Sequence, residues 1–102
     1  MNNVFTVMGE RVYAEFAKYQ EGGATAIRLV VAEGPYQGEA FSTVTVNVPE
    51  VQLAEGEVLV KTWSENEPIF KELVEQGFLV PTGMGVPCGY AVAVVCTTNF
   101  PE

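Results

Sequence analysis

Residues 90–97 read YAVAVVCT, a run with almost no polar character. Tyr90, Val92 and Val94 alternate with Ala91, Ala93 and Val95, so an extended conformation would be apolar on both sides. Such a strand needs cover on both faces and belongs in the middle of a sheet. It is far too short to span a membrane, which takes ~20 apolar residues. The rest of the chain must therefore supply a layer above and a layer below one short strand.

Strand patterns fill most of the remaining sequence. Residues 4–8 (VFTVM) form a short β-like run, stopped by Gly9 and Glu10. Residues 11–19 (RVYAEFAKY) alternate as a strand would, although Val12, Phe16 and Tyr19 also suit a short helix. Strand is preferred, because Gly22 and Gly23 then turn the chain into the next run. Residues 25–33 (TAIRLVVAE) put Ile27, Leu29 and Val31 on one face. After the loop EGPYQG (33–38), residues 39–48 alternate with Val44, Val46 and Val48 inward and Thr43, Thr45 and Asn47 outward. Pro49 ends that strand because it has no amide to donate. VLVKTW (58–63) is a further strand.

One segment has helical period: Ile69, Phe70, Leu73 and Val74. Gly77 stands where a left-handed terminating residue belongs, and Phe78 can pack back on Leu73. In the preceding KTWSENEP (61–68), Ser64 and Glu67 have capping-box spacing, and Asn66 is a rival cap that puts Pro68 inside the first turn. The Gly- and Pro-rich PTGMGVPCG (81–89) reads as a loop. The expectation is a single α+β domain over residues 1–102. It has an antiparallel or mixed sheet of five to six strands, and one helix at about residues 65–76 packed on it.

Function is less legible than fold. The chain carries 13 acidic residues, all Glu, against 5 basic ones, for a net charge of −8. Arg11, Lys18, Arg28, Lys61 and Lys71 are dispersed, which argues against direct nucleic-acid binding and against anionic membranes. Residues 1–10 have no signal-peptide pattern, and a cytoplasmic location is expected. With no His in the chain, Ser64 has no ordinary base to make it a nucleophile. Cys88 and Cys96 would lie ~26 Å apart on one extended strand, so two free thiols are expected. No cofactor or metal is expected, since the chain lacks His, a paired-cysteine motif and EF-hand spacing. Gly83 and Gly85 faintly suggest a phosphate loop, yet no base or helix follows them.

TVNVPEVQLAEGEVLVKTWSENE (45–67) and TGMGVPCGYAVAVVC (82–96) resemble a domain-of-unknown-function family of small acidic proteins. Its members come from gut Gram-positive bacteria and their mobile elements. The resemblance rests on a T-V-N-[LV]-P strand end, here Thr45 to Pro49, and on K-x-[YW]-S-E-N-E, here Lys61 to Glu67. It brings no established activity, but it implies a phage or plasmid accessory role, including inhibition of host defence.

The charge distribution suggests where such a protein would act. Residues 50–75 hold seven Glu against Lys61 and Lys71. A face of that sign attracts a basic partner, for instance a nucleic-acid-binding protein. The expected protein-binding residues are Glu65, Glu67, Glu72 and Glu75 on the helix, with Tyr36 and Met84 exposed at loops. The leading expectation is a non-catalytic accessory protein that inhibits or modulates a host protein. A small structural or oligomerising domain, with homodimerisation, is the alternative, and an enzyme comes third.

Overall fold

The computed structural model describes residues 3–101. In chain order it contains β1 (Phe5–Val7), β2 (Glu10–Lys18), β3 (Thr25–Val31), β4 (Ala40–Thr43), β5 (Glu57–Val60), α1 (Asn66–Glu75), β6 (Leu79–Cys88) and β7 (Ala91–Thr98). Among the described residues there are thus seven strands where five to six were expected, in an α+β fold. They form two antiparallel sheets, ordered β1-β2-β3-β4 and β5-β7-β6. The ambiguous residues 11–19 are strand, paired along β3 from Val12↔Val31 to Lys18↔Thr25.

The strand missing from the expectation is β6, which the Pro81–Gly89 stretch disguised as a loop. It is an edge strand, one of the few places where prolines are tolerated in a sheet. Its register shifts between Pro81 and Gly85, and Gly83 takes a positive φ of 93° within that bulge. Thr82 braces the bulge: its Oγ1 donates to the Val95 carbonyl at 3.0 Å and accepts from the Met84 amide at 3.3 Å. Glycine and proline here build a distorted strand rather than a connection.

β7 is central, as its two apolar faces require. Toward one side, Cys96 joins a core shared by both sheets and the helix, with Val7, Val12, Ile27, Leu29, Val60, Leu73 and Leu79. Toward the other, Ala93 and Val95 pack with Leu59 under Val46, Val48, Leu53 and Trp63. The cover for that second face is a looped segment and one tryptophan rather than a second sheet. Tyr90 lies outside the strand at the β6–β7 turn and is fully exposed.

The expected long strand over 39–48 divides. β4 ends at Thr43, and the chain then runs between the two sheets. On one side the Val44 amide donates to the Ile27 carbonyl at 2.9 Å. On the other, Val46 donates to Leu59 and Lys61 donates to Val44, both at 3.0 Å. Thr45, expected to face outward, is 1% exposed. Its Oγ1 accepts from the Ile27 amide at 3.0 Å and bonds the Tyr19 hydroxyl at 2.9 Å. Alternation fails here because the segment is flanked by strands of both sheets, which leaves it no solvent face.

The helix stop follows the expected pattern. Gly77 adopts φ 81°, which only glycine takes without steric cost. Phe78 donates to the Leu73 carbonyl and Gly77 to that of Val74, both at 2.9 Å, the paired bonds of a Schellman motif. The helix start differs from expectation. Glu65 is the N-cap and makes no side-chain capping bond, and Ser64 sits at φ 56°. Pro68 falls in the first turn, where its missing amide costs no helical bond. Asn66 is buried and turned to β4: its Nδ2 donates to the Thr43 carbonyl at 2.8 Å. The SENE motif thus fastens the helix to the larger sheet instead of capping it.

Candidate functional site

The sequence-predicted site residues fall into three separate places. Glu67 and Glu75 are exposed on the outer side of α1, away from the buried Asn66, Ile69 and Leu73, and Glu65 is exposed at the N-cap just before the helix. Glu67, Lys71 and Glu75 follow one i, i+4 stripe, so the lysine stands between two acids. Glu72 differs from the other three. Its Oε2 accepts from the Met8 amide at 2.9 Å and from Gln76 Nε2 at 3.2 Å. Gln76 Nε2 also donates to the Thr6 carbonyl at 2.7 Å. Met8 takes a positive φ of 51°, so Glu72 and Gln76 together hold the β1–β2 turn against the helix. Met84 rides on the β6 bulge at 65% exposure.

Tyr36 has company that the sequence did not announce. It stands 66% exposed in the β3–β4 hairpin loop and lines a groove of about 580 Å³ with Glu10, Glu33, Glu39 and Phe41. The loop is closed at its base, where Val31 donates to the Glu39 carbonyl and Gly38 to that of Val31, each at 2.9 Å. Further up, Glu39 donates to the Tyr36 carbonyl at 3.0 Å and Gln37 to that of Gly34 at 3.2 Å. These bonds fix the backbone of the loop that carries Tyr36. Glu10 reaches the site through strand register. With Val12 opposite Val31 and the Ala32 amide donating to the Arg11 carbonyl, the start of β2 runs along the groove, which Glu10 and Glu33 both line. Glu33 and Glu39 were visible as brackets around EGPYQGE, whereas Glu10 needed the pairing of β2 with β3.

Compensating base is scarce. Among the described residues the ion pairs are Arg28 with Glu15 at 2.5 Å and Arg11 with Glu33 at 3.8 Å, all four side chains substantially exposed. Pairs of that kind contribute ~0–1 kcal/mol. Among the described residues, no three His, Cys or carboxylate side chains converge as a metal site.

Both cysteines are free. They lie toward opposite ends of the β6–β7 pairing, Cys88 facing Ala91 and Cys96 facing Pro81. Burial pushes the Cys96 thiol up to about 11, whereas Cys88 is half-buried near the turn. A thiol-modifying reagent at neutral pH is therefore expected to label Cys88 in the folded chain and Cys96 only after unfolding. Equal labelling of both by mass spectrometry would contradict this. Because the folded Cys96 pKa lies above its ordinary value of 9.0, its contribution to stability is full below that pH. That contribution is lost as pH rises through about 11.

No curated protein and no solved structure matches this chain. A family described as Domain of unknown function (DUF4313) matches residues 14–100, from within β2 to just past β7, and the chain belongs to that family.

Proposed function

We propose that this chain is a non-catalytic accessory protein that binds a basic protein partner through its acidic surface. The observation that carries the reading is the outer side of α1. Glu67 and Glu75 are exposed there and Glu65 just before it at the N-cap, with Lys71 as the one lysine of the helix, and among the described residues none of the three carboxylates makes an ion pair or anchors the fold. Charges that the fold does not use are available to steer and orient a partner. The resemblance to proteins of gut Gram-positive bacteria and their mobile elements supplies a setting. In it the partner is a host defence protein or another nucleic-acid-binding protein, inhibited or modulated by occupation of its basic surface.

The test is reversal of Glu65, Glu67 and Glu75 to lysine, with Glu72 kept because it supports the β1–β2 turn. Partner captured from the native host and identified by mass spectrometry is expected to bind the variant at least about ten-fold more weakly, with a flatter salt dependence. Unchanged affinity and salt dependence in a variant with a native circular dichroism spectrum would overturn the acidic-surface reading.

Self-association ranks second. Val80, Met84, Tyr90 and Val92 stand exposed on the β6–β7 hairpin. Pro81, Pro87 and the bulge nevertheless blunt that edge against strand addition. A stable dimer in light scattering, lost on changing Met84 and Val92 to serine, would promote this alternative.

A further inference from the structure

We infer that the groove beside Tyr36 receives an arginine side chain of the partner protein, an inference that rests on the partner being basic. The groove is lined by the apolar Val31, Ala40 and Phe41 and by Glu10, Glu33 and Glu39, beside the exposed Tyr36. Its volume of about 580 Å³ lies within the ~300–1,000 Å³ common for ligand sites.

Three features select a guanidinium. The first is a gathering of like charge. Glu10, Glu33 and Glu39 line the same groove, and like charges gathered there repel one another unless a cation lies between them. The second is the chain's own Arg11. Its Nε lies 3.8 Å from Glu33 Oε1 while its Nη1 donates to Thr6 Oγ1 at 3.2 Å. One guanidinium is thus already drawn to this rim, yet loosely, and Glu10 and Glu39 have no ion-pair partner among the described residues. The third is Tyr36, an aromatic face at a rim of carboxylates. A planar guanidinium stacks on such a ring while its N–H groups reach carboxylates, which an ammonium does less well.

The probe is a short capped peptide with one arginine flanked by alanines, titrated into the isotope-labelled full chain at low salt and followed by NMR. Amide shifts are expected at Glu10 and from Val31 to Phe41, with few on α1. Tyr36→Ala is expected to weaken binding by about three-fold or more. Glu39→Gln should weaken it by about two-fold or more, and Arg11→Gln, which frees Glu33, should tighten it. Glu10→Gln should weaken binding while leaving thermal stability equal or higher, because it relieves like-charge repulsion in the groove. The same peptide with citrulline in place of arginine should cause no shifts. Equal shifts with citrulline would overturn the inference, and so would tighter binding of spermidine than of the peptide, or shifts confined to α1. The failure is separable from that of the acidic-surface reading, which is judged by the α1 charge reversals against the native partner.

Discussion

Leu73→Ala is expected to destabilise the fold by about 2–5 kcal/mol, the largest effect of any single change considered for α1. Leu73 is 0% exposed and sits in the core where the helix meets both sheets. The cost has two parts: the transfer free energy of the atoms removed, and the cavity left where rigid strands cannot close in. Ile69 is the other apolar side chain that α1 buries, so the truncation removes much of what holds the helix down. Domains of this size are stable by about 5–15 kcal/mol, so the loss is a large fraction of the whole. Urea denaturation should show the midpoint falling steeply, and thermal melting should show a drop of about 10 °C or more. Leu73→Met, which keeps the volume, should cost under about 1.5 kcal/mol. A loss below 1 kcal/mol for Leu73→Ala would mean that α1 is not anchored as described. The acidic surface proposed for partner binding depends on that anchor.

Thr45→Val is expected to cost about 1–3 kcal/mol although the two side chains have nearly the same shape. Thr45 Oγ1 takes the place of a ladder acceptor for the Ile27 amide, and it also bonds the Tyr19 hydroxyl. Valine leaves the Ile27 amide buried without a partner, which costs more than a lost hydrogen bond between exposed groups. Tyr19 is half-buried and can turn its hydroxyl to water, so its share is smaller. Thr45→Ser keeps the oxygen and loses only a methyl group, at a cost of about 0.8 kcal/mol. Valine should therefore be the more damaging replacement in urea denaturation. A double-mutant cycle with Tyr19→Phe apportions the two bonds. If serine proved worse than valine, packing rather than hydrogen bonding would account for the burial of Thr45.

Where sequence and structure part, the cause is tertiary. The helix, its glycine stop and the central position of the strand at residues 90–97 were legible, because each rests on local periodicity or a local turn, while residues 11–19 suited a short helix as well as the strand that was preferred. β6 was hidden because Gly and Pro are read as breakers, while a bulged edge strand accommodates them. Thr45 was misplaced because alternation presumes one solvent face, and its segment has a sheet on either side. Asn66 looked like a cap until β4 supplied the Thr43 carbonyl. The same contrast holds for the surface. Glu67 and Glu75 could be placed on the outer side of a helix from spacing alone. Glu72 could not be told apart from them, because its partner, the Met8 amide, lies 64 residues away in the chain. The groove at Tyr36 required knowing which residue of β2 faces which residue of β3.

The segment at Val44–Val46 has a consequence for how the molecule opens. Its backbone is bonded to β3 through Ile27 and to β5 through Leu59 and Lys61. The two sheets are built from successive halves of the chain, so each could in principle have come apart on its own. With one short stretch bonded into both, and one core shared between them, neither sheet can release its amides to solvent without breaking bonds that hold the other. The molecule should therefore behave in hydrogen exchange as one cooperative unit, with the amides of Val44, Val46 and Lys61 exchanging only when the whole chain unfolds.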